Sequence, residues 1–146
     1  MYLKSSEESP NALLTMVSTQ SVGIESDSST LQSDAFYQYA DGSVIISFDE
    51  AADGQNVQHS IITFIKDKLV TINRTGICNS EYIVQVGQTH PCKYELPFGS
   101  LDLSIYGKDI KADLSSQGGS LSLAYTIYTN GDIISNNTIK LNIKLK

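Results

Sequence analysis

The sequence predicts an all-β protein, an antiparallel meander of about 8–10 strands closed into a β-barrel. Three observations carry this. From Ser43 to Lys146 apolar and polar residues alternate strand after strand, the period of half-buried β-structure. Short turn signals separate those runs, chief among them Asp41-Gly42 and Asn130-Gly131. No stretch offers a convincing helix, although Asp113 to Gln117 could hold one helical turn. Closure into a barrel removes exposed strand edges, and a two-sheet sandwich is the runner-up.

Residues 1–9 read as a flexible polar leader and residues 10–146 as a single β-barrel domain. Ala12 to Thr19 gives the first strand, with Leu14 and Met16 on one face and Leu13 and Val17 on the other. Gly23 to Ser29 is polar and reads as a turn or bulged crossing. Thr30 to Tyr39 forms the second strand, rich in the β-formers Phe36, Tyr37 and Tyr39. Asp41-Gly42 turns the chain into the third strand, Ser43 to Glu50, where Val44, Ile46, Phe48 and Glu50 share a phase. After Asp53-Gly54 the fourth strand runs from about Asn56 to Lys66. A tight turn at Asp67-Lys68 leads to the fifth, Leu69 to Thr75, with Val70, Ile72 and Arg74 in phase.

Ile77 to Gly87 reads as the sixth strand, with Tyr82, Val84 and Val86 on one side. Pro91 cannot donate to a ladder, so the seventh strand is expected to begin after it, with Cys92, Tyr94, Leu96 and Phe98 in phase. Gly99 opens an eighth strand that turns Leu101, Leu103 and Ile105 inward. Gln117-Gly118-Gly119 makes the next turn, and Leu121, Leu123, Tyr125 and Ile127 line one face of the ninth strand. In the last strand Ile139, Leu141, Ile143 and Leu145 alternate with polar residues without a phase error.

The whole-chain numbers bound the function. A chain of 146 residues can bury a real core without staples, and 40% hydrophobic with 18% charged residues rules against wholesale disorder. A net charge of -6 argues against gripping a phosphate backbone, so no nucleic-acid partner is expected. No apolar run is long enough for a membrane span. The polar start, with Lys4, Glu7 and Glu8, lacks the apolar stretch of a secretory signal, and a cytoplasmic home is the default expectation. The sequons at Asn73-Arg74-Thr75 and Asn136-Asn137-Thr138 then read as chance matches, and Cys78 and Cys92 as thiols.

Glu50 and Arg74 each occupy the apolar phase of their strand. In a meander the third and fifth strands run the same way, which brings both residues to one barrel end. Their backbones then stand roughly 10 Å apart, a gap that an Arg and a Glu can bridge. One reading makes this a polar end to an apolar pocket, where Arg74 fixes an anionic or carbonyl group and Glu50 orients it. The other makes it an ion pair closing the barrel, or two charges reaching for water. Tyr94, Phe98 and Tyr125 are the aromatic candidates to line such a pocket, or they are plain core.

Several other chemistries find no footing. His90-Pro91-Cys92 lacks the further ligands zinc needs, so no metal is expected, and no cofactor motif appears. Asp49 and Glu50 are adjacent on a strand and face opposite sides, so they cannot act as a facing acid/base pair. No nucleophile elbow or phosphate loop is present, which leaves an enzyme as the third reading.

Several segments in order resemble the YwiB-like family of uncharacterised bacterial proteins. Ile46-Ser47-Phe48-Asp49-Glu50 resembles its strand ending in a carboxylate, and Arg74-Thr75-Gly76 its Arg-x-Gly. Tyr94-Glu95-Leu96-Pro97-Phe98-Gly99 is similar to its Tyr-x-x-x-(aromatic)-Gly step. Leu121-Ser122-Leu123-Ala124-Tyr125 with Asn137-Thr138-Ile139 resembles its closing hairpin. The resemblance spans residues 35 to 146 and implies a lipocalin-like (calycin-like) barrel without implying an activity. The chain has no Trp, so the Gly-x-Trp signature of secreted lipocalins is missing.

The expected function is a cytoplasmic small-molecule-binding barrel that takes a small apolar or amphipathic ligand. The alternative is a solid-core structural or protein-interaction module. The two differ in how far Phe48, Phe64, Tyr82, Tyr94, Phe98 and Tyr125 fill the interior.

Overall fold

Alternation alone would allow an open sheet; what bends this one into a barrel is the pairing of its two chain ends. The computed structural model describes residues 9–51, 57–66 and 69–146. Among these lie ten strands: β1 (Ala12–Val22), β2 (Glu25–Ala40), β3 (Ser43–Ala51), β4 (Val57–Ile65), β5 (Leu69–Thr75), β6 (Ser80–Val84), β7 (Thr89–Leu96), β8 (Gly99–Ser115), β9 (Gly118–Thr129) and β10 (Asp132–Leu145). They form a single antiparallel sheet in the order β6-β5-β4-β3-β2-β1-β10-β9-β8-β7. The first and last strands are therefore neighbours, zipped from Ala12 opposite Leu145 to Ser21 opposite Asn136.

Closure falls between β6 and β7, and it is sparse. Asn79 and Glu95 exchange two backbone bonds of 2.9 and 2.8 Å at one end of the seam. At the other, Gly87 N–H donates to the Gly107 carbonyl at 2.9 Å and Gly107 N–H to that of Gln88 at 3.1 Å. The barrel is nearly closed. Pro91 lies inside β7, opposite Ser104, where the sequence predicted a strand starting after it. The sheet order leaves β7 at an edge, and there a missing donor breaks no central ladder.

The phases read from the sequence largely hold. Leu14 and Met16 are buried and Leu13 is exposed; Val44, Ile46 and Phe48 point into the core, as do Leu121, Leu123, Tyr125 and Ile127. Ile139, Leu141 and Ile143 join the same apolar cluster. Both Asx-Gly hairpins have positive φ at their two central residues, 51° and 82° at Asp41-Gly42 and 52° and 82° at Asn130-Gly131. That is the turn whose twist matches two paired strands.

Four further expectations need correction. The polar stretch from Gly23 to Ser29 is mostly strand: β1 and β2 continue to a two-residue turn at Gly23 and Ile24. This arm has no apolar face to alternate and is laced by hydroxyls instead, with Thr19 and Ser28 at 2.9 Å. The sixth strand stops at Val84, because Gln88 N–H turns back to the Gln85 carbonyl and leaves Val86 exposed. Leu101 is exposed although Leu103 and Ile105 are buried. Asp113 to Ser115 is extended backbone paired with β9, so no helical turn forms there. The expected turns at Asp53-Gly54 and Asp67-Lys68, the start of the fourth strand at Asn56, and residues 1–8 of the leader lie outside the described residues.

One side chain ties the chain start to the barrel. Asn11 donates from Nδ2 to the Tyr37 carbonyl at 2.9 Å and accepts from Tyr37 N–H at 2.8 Å, continuing the ladder beyond β1. Asn11→Ala is expected to lower stability by about 1 kcal/mol, seen as a lower urea midpoint with an unchanged slope.

Candidate functional site

Arg74 and Glu50 do meet at one barrel end. Arg74 sits opposite Ser60 on β4, and Ser60 is opposite Phe48, so Arg74 reaches diagonally past β4 toward Glu50. Its Nη2 lies 3.9 Å from Glu50 Oε1, with side chains 30% and 24% exposed. Ser60, itself buried, donates from Oγ to Glu50 Oε2 at 3.5 Å. Ser60 carries no polar motif, and only its parity with Ile62 and Phe64 marks it as facing inward. As expected, Asp49 faces the opposite side from Glu50, and it pairs with His59 at 2.5 Å.

The loop beyond Arg74 is braced. Gln58 donates from Nε2 to the Cys78 carbonyl at 2.7 Å and accepts from Cys78 N–H at 3.2 Å. Asn79 Oδ1 accepts from Gly76 N–H at 3.2 Å. The segment that follows Arg74 is thereby tied back to β4 through Gln58 rather than left as a loose tip.

Facing it are three tyrosines. Tyr82 and Tyr125 pack edge to face, with centroids 5.9 Å apart and planes at 73°. Burial raises the Tyr82 phenol above its ordinary range, and the neighbouring Tyr125 adds to the rise. Burial pushes Tyr125 up to about 12. Tyr94 is raised first by burial and then by its hydrogen bond with Cys78. The Arg74 charge acts on all three phenols in the opposite direction. All three therefore remain neutral at ordinary pH beside a fixed cation.

Arg74, Tyr82, Tyr94 and Tyr125 share the wall of one cavity of about 450 Å³ at this end. Leu103 and Ile127 supply apolar wall, and the hydroxyl-rich arm of β1 and β2 supplies a polar one through Ser18 and Ser28. Arg74 Nε is buried and has no hydrogen-bond partner. An orphaned charged donor in a cavity wall is costly unless something answers it.

Phe98 is not part of this wall. It is 87% exposed, because β7 ends at Leu96 and the chain turns at Pro97 and Phe98, so the strand's phase is lost. Of the six aromatics considered, Phe48, Phe64, Tyr82 and Tyr125 are buried, Tyr94 is half-buried and Phe98 points away. The waist between is filled by aliphatic side chains such as Leu14, Ile46, Ile62 and Leu123. A further cavity of about 590 Å³, lined by Phe64, Lys66 and Leu114, opens at the opposite end. His90 is engaged by Gln85, with Nε2 and Oε1 at 2.9 Å. Among the described residues no helix is long and apolar enough to cross a membrane.

The comparisons agree with this architecture. The chain is 27% identical over 97 residues to the "Uncharacterized beta-barrel protein YwiB" of Bacillus subtilis (strain 168), spanning 66% of this chain and 67% of the relative. The crystal structure of the ywiB protein from Bacillus subtilis superposes with a TM-score of 0.82 at 20% identity, covering 94% of this chain and 92% of that one. The match shows a shared fold. The profile of the family described as "Domain of unknown function (DUF1934)" fits residues 14–141, and the chain belongs to that family.

Proposed function

We propose that this barrel binds a small amphipathic molecule at the Arg74 mouth, with an anionic or carbonyl group on the guanidinium. The observation that carries the reading is the unpartnered, buried Arg74 Nε in a wall shared with three tyrosines. Glu50 holds the guanidinium from one side, which leaves its remaining donors for a ligand. A cavity of about 450 Å³ suits a small molecule and sits above a waist packed with aliphatic side chains. A lipocalin-like mode of use, with the ligand entering at an open barrel end, fits this arrangement. Cytoplasmic residence belongs to the same reading, and the two free thiols Cys78 and Cys92 support it.

The test is native mass spectrometry of protein purified from its own host, followed by a thermal-shift screen. A reproducible co-purifying small molecule is the expected result. Arg74→Leu is expected to weaken binding by at least about tenfold, the worth of one lost charge-assisted hydrogen bond. An unchanged ligand response in that variant would remove Arg74 from the site.

A second reading, a protein-interaction module, has its own support. Ile24 and Phe98, at two turns, and Ile133, at the start of β10 just past a third, are 104%, 87% and 60% exposed at the same barrel end. Bulky apolar side chains exposed at one end of a barrel are candidates for contact with a partner. Changing all three to Ser while ligand response persists would separate the two readings.

A further inference from the structure

Charge around the mouth is lopsided in a way that bears on which anion it would accept. Arg74 is the single cation in the cavity wall, and Asp27 lines the same wall. Glu50 stands 3.9 Å behind the guanidinium, outside that lining. One cation thus faces two carboxylates. The other titratable groups in the wall are the phenols of Tyr82, Tyr94 and Tyr125, all held in their neutral forms by burial. Lys108, on β8, is exposed and turned to Asn136 Oδ1 at 3.2 Å, and it does not line the cavity. Nothing else in the wall supplies positive charge.

We propose that the mouth selects monoanions, carboxylates above all, and rejects dianions such as phosphate monoesters, with Glu50 and Asp27 setting the choice. This rests on the mouth being a ligand site. A single carboxylate matches the free edge of one guanidinium and takes the summed charge of Arg74, Glu50, Asp27 and ligand to about -2, where a dianion takes it to about -3. A dianion brings a second charge that no cation answers, close to Glu50 and in a partly desolvated cleft where repulsion is weakly screened. Sites built for phosphate gather several cations or backbone N–H groups, and this wall offers one cation, Arg74. The body of the ligand follows from the walls: the Tyr82–Tyr125 pair, Leu103 and Ile127 suit an aryl or alkyl face, while Ser18 and Ser28 tolerate a polar one.

Three probes with a common phenyl body test it by calorimetry: 3-phenylpropionate, 2-phenylethyl phosphate and 2-phenylethylammonium. Measurements at about pH 8 keep the phosphate doubly charged, since its second pKa is about 6. The carboxylate is expected to bind at least about tenfold more tightly than the phosphate, and the ammonium not at all. Glu50→Gln should bring the two anions to within about threefold of each other. Asp27→Asn, at an exposed position that tolerates change, should narrow the gap on its own. Equal binding of phosphate and carboxylate to the unaltered protein overturns the proposal while leaving the ligand site standing. So does an unchanged ratio in both variants. Binding of none of the three overturns the site itself.

Discussion

Gly107→Ala is expected to lower the stability of the barrel by about 3 kcal/mol, the upper range for an added methyl in a packed position. A Cβ at this position would lie 2.3, 2.6 and 2.9 Å from Gln85 O, C and N. All three are backbone atoms, so no change of rotamer relieves the clash. Gly107 also occupies the irregularity of β8, where the register against β9 shifts between Gly107 and Asp109. Both its N–H and its carbonyl are bonded to the seam segment. The methyl group therefore pushes apart the contact that closes the barrel. Urea unfolding should show the loss, and hydrogen exchange should quicken at Gly87 and Gly107 before it does in β1 or β10. Gly131→Ala is the control. No atom stands within 4 Å of its Cβ, so only the left-handed backbone, φ 82°, opposes it, at a cost of about 1 kcal/mol.

Alkaline unfolding is the second large effect. Tyr125 rises from an ordinary 10.0 to about 12, and Tyr37, Tyr82 and Tyr94 are raised as well, each chiefly by burial. For an acid whose folded pKa is raised, the folded state prefers the neutral form. The stabilisation is complete below the unfolded value near 10 and drains away as pH climbs toward the folded value. Tyr125 alone accounts for about 3 kcal/mol on this basis, against a net stability of about 5–15 kcal/mol for a domain. The expected result is cooperative unfolding between about pH 10 and 12, with tyrosinate absorbance appearing together with loss of β-sheet circular dichroism. Tyr125→Phe should move the midpoint upward. Gradual ionisation with the sheet intact would show that the phenols are not buried as described.

The sequence was most legible where a strand separates core from water. β5 begins and ends where parity put it, and β10 alternates along its buried part because one face is in the core and the other in solvent. Parity also brought Glu50 and Arg74 to one end. It could not show that Ser60 stands between them, because the stagger of neighbouring strands is set by the connections and not by the phase. The β1–β2 arm escaped notice for a different reason. Both its faces are polar, so Ser18, Asp27 and Ser28, which line the mouth, carry no periodic signal. Phe98 misled because alternation was carried through Pro97, where the strand had already ended.

The seam has a consequence for how the chain reaches this shape. Strands β1 to β6 form one run of adjacent hairpins and β7 to β10 another, each assembled from near neighbours in sequence. The ladder that joins the two runs is β1 with β10, the most distant partners the chain contains. That loop closure costs the most entropy, so it is expected to be the slow step of folding. The termini are therefore anything but trimmings. Shortening the chain past Ala12 or Leu145 does not fray an edge; it takes residues out of the middle of the sheet. A circular permutant with joined ends and a break at Gly87 would turn the farthest pairing into a hairpin, and it should fold faster than the parent.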